Sequence, residues 1–162
     1  MMNMLLSYGS DFLKDRVIQG LIAGIAGWLP QMIYTFTVFG FHLAKFRYLD
    51  FGAITAFSQK PHGVFEFVFA ESLVLAMQGL LGIAFAMLIK VISNPNIILK
   101  GGLYGGILWV VIYSIFSLYK MKGIYGIIDF NTAIFHCIAA IIWGITMAGA
   151  FLFLNRKFDL KN

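Results

Sequence analysis

The sequence predicts an all-α fold: an integral membrane bundle of four transmembrane helices, laid out as a duplicated helical hairpin behind a short interfacial N-terminal helix. Three observations lead there. Hydrophobic residues make up 60% of the 162-residue chain and charged residues 12%, against roughly 45–50% and about 25% in soluble domains. Mean hydropathy is +0.87. The 12 Lys+Arg and 7 Asp+Glu are too few to cover a soluble surface, and they cluster at the ends of long apolar runs. The net charge of +5 is therefore spread over helix ends and forms no nucleic-acid footprint. A single cysteine, Cys137, excludes a disulfide scaffold.

Each element follows from the spacing of those charges. Residues 3–13 can lay Leu5, Leu6, Tyr8, Phe12 and Leu13 on a lipid surface as a short helix. Asp11, Lys14, Asp15 and Arg16 precede the first long apolar run, which argues against a cleaved signal segment. A helix crosses the roughly 30 Å hydrocarbon layer in about 20 residues. The charge-poor stretches therefore place spans at about 17–41, 66–92, 101–119 and 131–154, joined after the first by a longer connection over about 42–65. Pro30 falls in the middle of the first span, where it removes a backbone donor and favours a kink. β-Barrel alternation is absent. An even number of spans puts both termini on one side. That side carries seven basic residues and the other five, which favours cytoplasmic termini.

The second half of the chain echoes the first. Gly20, Gly24 and Trp28 match Gly101, Gly105 and Trp109 at an offset of 81 residues. Glu71, Gly79 and Ala84 match His136, Gly144 and Gly149 at an offset of 65. Two hairpins of like orientation form a parallel repeat. Small-residue ridges run along the spans: Gly20 and Gly24, Gly101 and Gly105, Gly102 and Gly106, Gly79 and Gly82, Gly144 and Ala148. Lipid supplies no hydrophobic drive between helices, so close backbone approach at such ridges holds them together. Packing within the bundle is the first reading of each ridge, and a homo-oligomer face or another membrane subunit the second.

Polar residues inside the spans define the candidate site. Counted from the non-terminal ends, Glu71 and His136 lie seven residues inward, roughly 10 Å. Tyr113 and Ser114 sit at a similar depth, and Gln31 and Gln78 share a deeper level. An ionised carboxylate at such depth must be paired, so intramembrane acids are functional candidates. His136 or Tyr113 is the partner expected for Glu71. The layer reads either as interhelical hydrogen bonding or as a polar route. A second class of reading uses His42 and His136 as ligands of haem b, or adds Glu71 for a metal site, although no local ligand spacing or C-x-x-C-H motif is present. The first reading needs no cofactor and no metal. Cys137 points about 100° away from His136 on a helix and reads as packing. None of the hydrolase, zinc-protease, P-loop or dinucleotide fingerprints occurs. The residues thus point to a non-enzymatic polytopic membrane protein, an accessory subunit or a small oligomeric transport unit, contacting lipid and no nucleic acid.

The Gly20–Gly24 start of the first span, the Gly101–Gly106 opening of the third, and His136 with Trp143 on the last resemble small bacterial inner-membrane proteins of the YagU/YqhR type. The resemblance implies a four-helix protein of the bacterial plasma membrane and little about activity.

Overall fold

The computed structural model describes residues 15–92, 95–118 and 129–159. Among the described residues, five helices run in order: α1 (Arg16–Gly40), α2 (Tyr48–Phe57), α3 (Val64–Val91), α4 (Ile97–Leu118) and α5 (Phe130–Asp159). The four long ones are long and apolar enough to cross a membrane, so the chain is an all-α membrane protein with four spanning helices. The interfacial helix expected at 3–13 lies outside the described residues.

Helix ends follow local chemistry. Asp15 caps α1, its Oδ1 accepting from the Val17 N–H at 2.8 Å. α1 then continues through Pro30 to Gly40, and His42 turns the chain in the left-handed region at φ 57°. Asp129 caps α5, its Oδ1 accepting from the Thr132 N–H at 3.1 Å. Lys45 lies 3.4 Å from the other Asp129 oxygen.

The long helices stand in the spatial row α3–α1–α5–α4, each packed closely on the next, while the two ends of the row, α3 and α4, barely touch. Glycines create the close contacts. A Cβ at Gly20 would strike the Gly82 carbonyl and the Ala86 methyl. At Gly101 it would strike the Gly144 carbonyl and the Ala148 methyl. Gly24 meets Gln78 and Gly79 in the first pair, and Gly105 meets Ala140 and Gly144 in the second. The α1/α3 and α4/α5 pairs therefore use one packing scheme. The second helices correspond at an offset of 62, however, with Gly144 in the place of Gly82 and Ala148 in that of Ala86. This corrects the offset of 65 and separates Glu71 from His136 in the repeat: the counterpart of His136 is Val74.

The halves join through α1 and α5. Trp143 of α5 lies over Gly27 and donates its indole N–H to the Gly24 carbonyl at 3.1 Å. The symmetric α4/α3 contact has Leu108 where Gly27 stands and Leu81 where Trp143 stands. Two branched side chains replace a ring seated on a glycine, and the helices stay apart. Tyr104 bridges them lower down, donating to the Leu81 carbonyl at 2.9 Å. A core of Phe85, Trp143, Met147, Phe151 and small residues closes the bundle on the side of the termini.

The connection expected over 42–65 contains a folded segment. The ten residues of α2 are too short to span the bilayer, at about 15 Å. α2 packs instead on α3, where a Cβ at Gly52 would sit 2.7 Å from the Ala70 carbonyl. Its own Leu49, Phe51, Ala53 and Ile54 are buried. Lys60 folds back to donate to the Lys45 carbonyl at 3.0 Å and lies over the Phe46 ring.

Candidate functional site

Polar groups of α1, α2, α3, α4 and α5 gather at the non-terminal half of the bundle in three linked sets. The first is built around His136, which has no exposed surface. Its Nε2 lies 2.9 Å from the Phe46 carbonyl, which can only accept, so Nε2 carries the proton. Nδ1 is then the acceptor for the Tyr113 hydroxyl at 2.8 Å. Tyr48 at the start of α2 donates to the His136 carbonyl at 3.1 Å. Thr132, one turn before His136, accepts from the Lys45 N–H at 2.9 Å. These bonds fasten the segment 45–48 into the bundle and satisfy backbone groups that are not in a helix, as a chain at membrane depth requires. Burial raises the Tyr48 phenol above its ordinary value, so it stays a neutral donor. At the membrane edge, hydrogen bonds from Thr132 hold the Asp129 carboxyl below its ordinary range, with Lys45 adding to the effect.

The second set is an ion pair. Asp50 is fully buried and accepts from the Arg47 N–H at 2.7 Å and from its guanidinium at 2.9 Å. The guanidinium lies over the rings of Phe36, Phe39 and Phe67. Nothing in the span count pointed to this pair; the signal was a short apolar run, Tyr48–Phe57, with its one acid three residues after an arginine.

The third set combines Glu71, Gln31 and Gln78. The structure corrects the expected partner of Glu71: its Oε1 accepts from the Trp28 indole N–H at 2.7 Å, and the hydrogen bonds of His136 and Tyr113 go elsewhere. Gln31 and Gln78, placed at one depth by the sequence, do meet, with the Gln78 amide donating to the Gln31 side-chain oxygen. Ser114 is exposed and takes no part in the layer. His42 is exposed in the turn after α1, whereas both ring nitrogens of His136 are engaged. Joint ligation of a haem iron by the two would have to break one of those bonds. Among the described residues no three His, Cys, Asp or Glu side chains converge as for a metal ion. Cys137 is partly buried and unbridged.

Where α3 and α4 fail to meet, a cavity of about 380 Å³ opens in the bundle, within the roughly 300–1,000 Å³ range of ligand sites. Gln31, Gln78, Tyr48 and Tyr113 stand at its polar end, with Phe51, Gly52 and Thr55 of α2 as its roof. Leu73, Met77, Leu80, Leu108 and Ile112 line its sides. Met77 and Leu80 are exposed at the rim, so the mouth faces sideways between α3 and α4. Trp109, the repeat counterpart of Trp28, stacks on Tyr113 with ring centroids 4.8 Å apart and forms part of the wall. Sequence reasoning missed this cavity, because its cause is the pair Leu108 and Leu81 at a contact between the halves whose counterpart, Gly27 and Trp143, is tight.

Compared with protein families, curated proteins and solved structures, the chain matches none.

Proposed function

We propose that this membrane protein is a non-enzymatic component of the bacterial plasma membrane, an accessory subunit or small transport unit, whose working part is the α3/α4 cavity. An apolar molecule enters it sideways from the bilayer and leaves its chain against the aliphatic wall. One observation carries this reading: a cavity of ligand size whose mouth is, among the described residues, the open contact in an otherwise close-packed row of helices. A purely structural bundle would close that seam, since dispersion between helices is what holds such proteins together. The polar sets around His136 and Asp50 support the same reading, because they fix α2 as the roof.

Mass spectrometry of the protein released from mild detergent tests this. The wild-type chain is expected to retain a lipid-sized adduct, and Leu108→Trp, which fills the cavity, to lose most of it. Gly149→Ala adds a methyl where nothing lies within 4 Å and should keep the adduct. A bare wild-type chain, or equal adducts on all three proteins, contradicts the proposal.

A further inference from the structure

We propose that the α1/α3 seam, at its end on the side of the termini, is a headgroup site for an anionic phospholipid, with Arg16 and Lys90 as its two cations. Arg16 lies four residues before Gly20 on α1, and Lys90 four residues after Ala86 on α3. A Cβ at Gly20 would strike the Ala86 methyl. One helical turn outward, the same two ridges therefore bring Arg16 and Lys90 to one level on facing helices. Like charges in that register repel. The other half of the repeat avoids this conflict. At the offsets of 81 and 62, the counterparts of Arg16 and Lys90 are Ile97 and Leu152, both part of the apolar core at that end. Two cations thus stand where the matching seam has two aliphatic side chains.

Among the described residues no acid pairs with either cation. On the opposite face of the bundle Lys45 lies 3.4 Å from Asp129, and Arg47 pairs with Asp50 at 2.9 Å. Asp15, next to Arg16 in sequence, turns one carboxylate oxygen to the Val17 N–H as the cap of α1. The surface around the two cations is apolar, with Val17, Met87 and Val91 exposed. A phospholipid answers both features at once. Its phosphate neutralises the two cations, and its acyl chains cover the apolar side chains beside them. Basic pockets between spanning helices at the membrane interface take anionic headgroups in this way, and the guanidinium fork of an arginine matches phosphate oxygens. A free phosphate would answer the charge alone and leave the apolar flanks bare.

Native mass spectrometry of the full chain tests this, with the detergent-solubilised protein stripped of its own lipid and titrated with phosphatidylglycerol and phosphatidylcholine of identical acyl chains. The wild-type protein is expected to bind phosphatidylglycerol about fivefold or more tighter than phosphatidylcholine. Arg16→Gln and Lys90→Gln should each cost phosphatidylglycerol about fivefold and leave phosphatidylcholine unchanged. Arg156→Gln removes the same charge from α5 at the same end of the bundle, away from the seam, and should have little effect. The double variant Arg16→Ile with Lys90→Leu copies the α4/α5 half. It should keep the wild-type unfolding midpoint or exceed it, and show no preference between the two lipids. Equal wild-type affinities, single variants without effect, or a folded double variant that keeps the preference overturns the site. An equal loss from Arg156→Gln also overturns it, since the attraction would then be spread over the whole basic face. Displacement of the bound phosphatidylglycerol by an equal concentration of inorganic phosphate would make the site one for a free anion and overturns the lipid assignment.

Discussion

Glu71 meets Trp28 rather than His136, and that exchange changes what its carboxyl is expected to do. Its bond at 2.7 Å ties α3 to α1. Glu71→Gln keeps an acceptor for the indole N–H and should leave thermal stability in detergent nearly unchanged. Glu71→Leu leaves that N–H buried without a partner and should cost about 1–3 kcal/mol. Equal damage from both substitutions would contradict this and mean that the contact depends on the charge of the carboxylate. At this scale the sequence was informative where depth alone decides. Gln31 and Gln78 lie equally far from their helix ends, and they meet. It was uninformative where two candidates lie within reach of one group. Helical period puts Glu71 and His136 on inward faces, but the chain between the first two spans supplies the competing partner, Phe46, and α1 supplies Trp28.

Among the elements, the glycine ridges carry the energetics. A Cβ at Gly105 would press into the Ala140 backbone, which cannot yield as a side-chain tip can. Gly105→Ala should therefore push α4 off α5 and lower the unfolding midpoint clearly. Gly149→Ala, with open space around it, should raise stability slightly through helix propensity, by up to about 1 kcal/mol. Thermal unfolding of both variants in one detergent checks the pair, and similar losses would contradict the packing scheme. The four spans and the ridges were legible because charge spacing and small residues reflect the bilayer directly. The short helix α2 was not, since its ten mostly apolar residues sit inside a stretch bounded by Arg47, Lys60 and Pro61 that counts as a loop when only spanning lengths are considered. The repeat was legible in its first helices and misaligned by three residues in its second, because Gly79 and Gly82 both qualify as the match for Gly144.

For the whole molecule, the two symmetry-related contacts between the halves differ: α1/α5 is closed by Trp143 over Gly27, and α4/α3 is held open by Leu108 and Leu81. The open seam is the central claim. Orientation is a separate matter, for which the basic-residue balance of seven to five predicts that a reporter active only in an oxidising compartment is silent when fused after Asn162; activity there reverses the assignment. The seam itself is tested most directly by the fluorescence of Trp109 in proteoliposomes, taken as the wild-type spectrum minus that of Trp109→Phe, in lipids with and without brominated acyl chains. If the bilayer reaches the cavity, the difference spectrum is strong in ordinary lipid and largely lost in brominated lipid. A difference spectrum of the same strength in both lipids would mean that α3 and α4 close over Trp109, and would contradict the account.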